Sequence, residues 1–179
     1  MNIVLIGGRG VGKSGISRRL LIRLKRPIFH LDELIVYEEN ALSIPEIVEK
    51  HGWAYFRDVE YKVAAKAARM KDVIIDCGGG VVVDLNENGN EIFSERKVNA
   101  LKATGKIFFL NNEISTLEKR IAGDENRPNL SSVAGFREIM ERRIPFYRKA
   151  ADYELNLQNM SRSEERRVGK ECRIRWSSY

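Results

Sequence analysis

The sequence predicts an α/β protein, a parallel sheet covered by helices on both faces. Two observations carry this reading. Short apolar runs that end in glycine or polar residues alternate with segments of helical apolar spacing, and strands alternating with helices build parallel sheets. The first run, MNIVLI, leads directly into GGRGVGKS and then a helical pattern, which is the strand–loop–helix setting a phosphate-binding loop needs.

The elements follow in order. Asn2 to Ile6 reads as a buried parallel strand, being apolar on both faces. Ile16, Leu20 and Leu21 recur at helical spacing, so a helix is predicted from Lys13 to about Leu24. PIFHL, residues 27 to 31, is a second strand. Ser43 with Glu46 three residues on forms a capping box opening a helix towards Lys50, and another helix runs from about Ala54 to Met70. KDVIIDCGGG is a strand closed by three glycines. The polar stretch near 84–94, within VVVDLNENGNEIFSERK, reads as a solvated insertion. GKIFFLNN is a further strand, Ile114 to Ile121 a helix, and about 123–134 a polar loop. A helix to about Lys149 and a last strand, DYELNL, complete the pattern.

At 179 residues and 43% hydrophobic, the chain fits one soluble domain. No apolar run approaches the ~20 residues of a membrane span, and MNIVLIGG leaves no room for a signal peptide. Two cysteines are too few for a disulfide framework. A cytoplasmic protein without a membrane partner is expected. The net charge of +6 does not argue for nucleic acid, because half of it lies in residues 162–179. That tail, RSEERRVGKECRIRWSSY, has no apolar period. It resembles a translated sequencing-library adapter, in which AGATCGGAAGAGCGT encodes Arg-Ser-Glu-Glu-Arg. The expectation is a working domain over 1–161 and a non-native tail over 162–179.

The chemistry begins at Gly7-x4-Gly12-Lys13-Ser14, a complete Walker A motif. Its glycines let backbone N–H groups turn towards phosphate oxygens, and the helix N-terminus adds a favourable dipole. Lys13 is placed to bridge the β- and γ-phosphates, and the Ser14 hydroxyl to ligate Mg²⁺. Asp32 stands just past the second strand, Arg57 and Glu60 share a helix face, and Gly78, Gly79 and Gly80 follow the third strand. Arg127 falls in the polar loop and Arg143 on the next helix. All of these lie at strand ends or the adjoining loops, where ligands of parallel sheets bind.

In this order behind a P-loop, the motifs resemble those of the shikimate kinase family. The resemblance rests on GGRGVGKS, Asp32, FR-x-x-E at Phe56 to Glu60, the triple glycine, RPNL, and R-x-P-x-Y at Arg143 to Tyr147. It implies a three-layer P-loop kinase fold, a five-stranded parallel sheet of order 2-3-1-4-5 with a lid over about 123–134. It also implies transfer of the ATP γ-phosphate to the 3-hydroxyl of shikimate, with Mg²⁺, in aromatic amino-acid biosynthesis. By the same resemblance, Gly7, Gly10, Val11, Gly12, Lys13 and Ser14 cradle ATP, and Arg120 stacks on adenine. Arg57 and Arg143 hold the shikimate carboxylate, Gly78, Gly79 and Gly80 lie against the substrate, and Glu60 orients Arg57. Asp32 orients the nucleophile and takes its proton, while Arg127 closes over the phosphates. A monomer is expected.

Departures from the family pattern are local. His30 stands where the family commonly has an Asp that helps position Mg²⁺, and a hydrogen-bonded histidine is expected there rather than a ligand. Asp76, closing VIID, resembles a Walker B carboxylate and is a candidate to serve Mg²⁺ instead. Asn129 changes the lid's RPLL to RPNL, and Cys77 is expected to be buried and inert. Gluconate kinase is the nearest alternative, since gluconate also offers a carboxylate and hydroxyls. A nucleotide-binding module without transfer activity is another.

Overall fold

A computed structural model describes residues 1–122 and 135–158. The expected lid, with Arg127, and the expected tail over 162–179 lie outside the described residues. The elements are β1 (Asn2–Ile6), α1 (Lys13–Leu24), β2 (Ile28–His30), α2 (Leu31–Glu38), α3 (Ile44–Ala68) and β3 (Ile74–Asp76). There follow β4 (Val83–Leu85), β5 (Glu91–Phe93), α4 (Glu95–Lys102), β6 (Gly105–Asn111), α5 (Ile114–Ile121), α6 (Phe136–Ala150) and β7 (Tyr153–Asn156).

Five strands form one sheet in the order β2-β3-β1-β6-β7, with every pair parallel. Counting those five in chain order gives 2-3-1-4-5, as expected. The register sets Leu5 beside Asp76 and His30 beside Asp76. Three strands therefore end level with one another, and the chain leaves them side by side at Gly7, Leu31 and Cys77. This alignment is what gathers residues far apart in sequence at one sheet edge.

The sheet is the core. β1 has every residue buried, and Ile107 to Leu110 of β6 are 1% exposed or less. β-Branched and aromatic side chains fill both faces of these strands, as helix-covered parallel strands require. The opposite edge is closed by Asn2, which is fully buried. Its Nδ2 donates towards the carbonyls of Ala68 and Met70 and to Thr104 Oγ1, and its Oδ1 accepts from Val73 N–H. One amide thus joins the end of α3 to the starts of β3 and β6.

In α3, the Ser43 side chain accepts from Glu46 N–H while Glu46 reaches back to Ser43 N–H. This is the expected capping box. The two expected helices are one long element broken at Gly52, whose φ of 82° and ψ of 167° leave the helical region. The second half carries Phe56, Arg57 and Glu60 inward.

One expectation is corrected. The segment near 84–94 is not simply solvated: β4 and β5 pair antiparallel as a hairpin whose exposed residues are the turn, 86–90, and Ile92. Asp84 and Glu91 are partly buried and carry ion pairs. Among the described residues, no helix is long and apolar enough to cross a membrane.

Candidate active site: a phosphate loop facing two arginines

The loop between β1 and α1 is held from behind and open in front. A Cβ on Gly7 would lie 2.5 Å from the Leu110 carbonyl oxygen, so only glycine lets the loop rest on β6. Gly12 has open space around it but a φ of 100°, which side chains rarely adopt. It caps α1 without a side chain, so the first N–H groups of the helix face the cleft. Lys13 Nζ donates to the carbonyls of Gly7 and Gly8 at 2.8 and 3.1 Å, spanning the loop's own curve.

Beneath the loop, Asp76 at the end of β3 takes three polar contacts on one oxygen. Oδ2 lies 3.0 Å from Ser14 Oγ, 3.0 Å from His30 Nδ1 and 3.5 Å from Ser17 Oγ. The contact between His30 Nδ1 and Asp76 Oδ2 joins the end of β2 to the end of β3. His30 is thus the hydrogen-bonded histidine expected, and it holds Asp76 rather than standing in for an acid.

The other end of the cleft is built around Arg57 and Arg143. Arg57 Nη1 donates to Glu60 Oε2 at 2.9 Å and to the Gly80 carbonyl at 3.3 Å. Its guanidinium also lies 5.4 Å from the Trp53 ring centre and 5.3 Å from that of Phe56. Its buried Nε is without a hydrogen-bond partner among the described residues. Glu60 is in turn bonded by Lys97 Nζ at 2.6 Å, and Lys97, with a fully buried side chain, also donates to the Val83 carbonyl at 2.5 Å. Burial alone would push the Glu60 carboxyl up, but Arg57 and Lys97 together hold it below its ordinary value. Burial lowers the Lys97 ammonium, opposed chiefly by Glu60.

Met140, Arg143 and Tyr147 recur at helical spacing and turn one face of α6 to the cleft. Arg143 Nη1 and the Tyr147 hydroxyl both donate to the Gly79 carbonyl. Tyr147 is completely buried and stacks on Phe109 at 5.0 Å, and burial pushes its phenol up to about 12. Glu91, from the hairpin, pairs with the other edge of Arg143.

The three glycines differ in what they do. A Cβ on Gly78 would meet Asp32 Oδ1 at 2.3 Å, and one on Gly80 would meet Arg57 Nη1 at 2.3 Å. These two make room for site side chains. A Cβ on Gly79 would make only ordinary contacts, the nearest at 3.6 Å. What Gly79 supplies is its carbonyl.

Lys13, Ser14, Asp32, Arg57, Asp76 and Arg143 all line a single cleft of about 1080 Å³, as do Gly10, Gly12 and Gly78 to Gly80. Gly7 and Val11 are buried behind the loop, and exposed Arg120 sits at its rim with Nη1 3.2 Å from the Gly10 carbonyl. Cys77 is buried, and burial pushes its thiol well up, in keeping with an inert role. Sequence reasoning missed Glu91 and Lys97. Lys97 carried a signal, because it shares the inward face of α4 with Val98 and Leu101.

The comparisons decide the family. The shikimate kinase family model matches residues 9–171. The chain belongs to the shikimate kinase family. A shikimate kinase from Leptospira biflexa is 43% identical over 164 residues, covering 92% of this chain and 91% of that protein. One from Leptospira borgpetersenii is 39% identical, covering 91% and 92%. Among solved structures, a shikimate kinase from Acinetobacter baumannii in complex with shikimate superposes with a TM-score of 0.80 at 26% identity. That superposition covers 99% of this chain and 93% of the other. The family places its fold here along nearly the whole length.

Two outcomes are expected from this geometry. Gly79→Ala should leave stability within about 1 kcal/mol, whereas Gly78→Ala and Gly80→Ala should each lose about 1–3 kcal/mol by overpacking, read as urea midpoints. Asp84 is held from 3.8 down to about 2: burial pushes it up, but hydrogen bonds from Arg96 and Ser94 and the nearby Lys97 outweigh that. Its contribution to stability is therefore complete above 3.8 and is lost as pH falls through about 2. Asp84→Asn should lower stability at neutral pH and flatten the acid limb over that window in urea titrations.

Proposed function

We propose that the protein transfers the γ-phosphoryl group of ATP to the 3-hydroxyl of shikimate, giving shikimate 3-phosphate and ADP. The observation that carries this is the pairing, in one cleft, of a Walker A loop with Arg57 and Arg143 around Asp32. A guanidinium is suited to a carboxylate because its planar N–H pairs match two oxygens at once. Arg57 lines the cleft, and its buried Nε has no hydrogen-bond partner among the described residues. Asp32 accepts the proton of the attacking hydroxyl, whose oxygen bonds to the γ-phosphorus. The bond from that phosphorus to the β–γ bridging oxygen breaks, and ADP leaves with the electron pair.

Lys13 neutralises charge on the β- and γ-phosphates, and the N–H groups of the loop orient them. Gly7 and Val11 support the loop from behind, and Arg120 at the rim is placed for the adenine. Arg127, outside the described residues, takes by its motif the role of stabilising charge on the moving phosphoryl group. The donor set also suits Mg²⁺, since Ser14 and Asp76 offer hard oxygens and the phosphates and water would supply the rest. When bound, the ion would neutralise phosphate charge, with Ser14 as ligand and Asp76 orienting Ser14 or a water. Both substrates are small polar metabolites, which suits the cytoplasm, and a monomer completes the reading.

ADP release from MgATP, measured by coupled assay with shikimate, gluconate or no acceptor, tests the reading. Shikimate-dependent release is expected, and Asp32→Ala should reduce it by about 10²- to 10⁴-fold with ATP affinity unchanged. Release with gluconate alone would move the acceptor to the alternative sugar acid.

A further inference from the structure

The two arginines at the acceptor end are in different states. Arg57 has a buried N–H without a partner among the described residues, while Arg143 has one edge of its guanidinium filled. Arg143 Nε donates to both carboxylate oxygens of Glu91, at 3.2 and 3.1 Å, and Nη2 donates to Oε1. Nη1 is turned to the Gly79 carbonyl at 3.2 Å. A carboxylate laid along one guanidinium edge is the arrangement by which arginine recognises a carboxylate ligand. Glu91 therefore occupies the edge that Arg143 would offer to an acceptor.

Glu91 is placed so that it can leave. It is the first residue of β5, directly after the exposed turn 86–90, whereas Ser94 and Arg96 tie the base of the hairpin to Asp84 at 2.7 and 2.8 Å. Among the described residues its carboxylate bonds to Arg143 alone. Both side chains line the cleft and keep 16% and 15% exposure, so the pair meets an incoming ligand directly. Burial raises the Glu91 carboxyl, but Arg143 outweighs it and keeps it below its ordinary value, so it is an anion at neutral pH. Two carboxylates cannot share one guanidinium edge, because like charges at that distance repel.

We propose that Glu91 is a resident competitor for the acceptor's carboxylate: it fills the recognition edge of Arg143 until a substrate carboxylate displaces it. The contact sets the affinity for the acceptor. It also disfavours uncharged polyols, which have no anion to exchange with Glu91. This inference rests on the reading of the acceptor as a carboxylate held by Arg143.

Calorimetric titration of shikimate and of ATP into the full chain, wild type, Glu91→Gln and Glu91→Ala, tests it. Freeing an edge that donates charge-assisted hydrogen bonds should tighten shikimate by on the order of tenfold in both variants. ATP affinity should stay as in wild type while the KM for shikimate falls. Unchanged or weaker shikimate binding in the variants, with wild type binding normally, overturns the inference alone. A wild type that binds ATP but no shikimate overturns the acceptor reading, and this inference with it.

Discussion

Glu60 has lost its water entirely, and what replaces it are two cations, Arg57 at 2.9 Å and Lys97 at 2.6 Å. A carboxylate taken out of water must find such partners, and removing one of them costs about 3–5 kcal/mol because the other charge is left buried. The pairing fixes Arg57 in the cleft. From Lys97 the alternation continues to Asp84 at 3.6 Å, then to Arg96 at 2.8 Å and to exposed Asp58 at 2.7 Å. These charges bind α3, α4 and the β4–β5 hairpin to one another. The hairpin is thereby fixed at its base and left to meet the cleft with its turn end, where Glu91 sits.

The donor half depends on the sheet in a different way. Strands β1, β2 and β3 end level with one another, so Asp76, His30 and the phosphate loop meet without any long side chain having to reach. Asp76 then orients Ser14 through a hydrogen bond of 3.0 Å. The triple glycine after β3 continues this economy of space: Gly78 and Gly80 let Asp32 and Arg57 approach the backbone, and the Gly79 carbonyl ties α6 in through Arg143 and Tyr147. Both halves of the cleft are thus tied to one short stretch of chain, 76–80.

Much of this was legible from sequence because it is local. The Walker A spacing, the Ser43 capping box and the apolar runs of β1 and β6 are each decided within a few residues. The hairpin was not legible. Its strands are three residues each, too short for an alternation to show, and NENGN reads as solvent-facing turn. What makes Glu91 matter is Arg143, 52 residues away. Lys97 lay in plain view on an apolar helix face, yet a lysine is nearly always read as solvated. The glycines were expected to clear space for substrate, and two of them clear it for the protein's own side chains.

The central claim is that a buried carboxylate holds Arg57 for the acceptor and has no part in holding ATP. Glu60→Gln removes that charge and keeps its shape. Titrating ATP and shikimate into the same sample of this variant tests the claim directly, since ATP binding reports the folded fraction. Shikimate affinity should weaken by on the order of tenfold or more, the worth of one charged hydrogen bond, with ATP affinity as in wild type. Shikimate affinity equal to wild type, or an equal loss for both ligands, would contradict it.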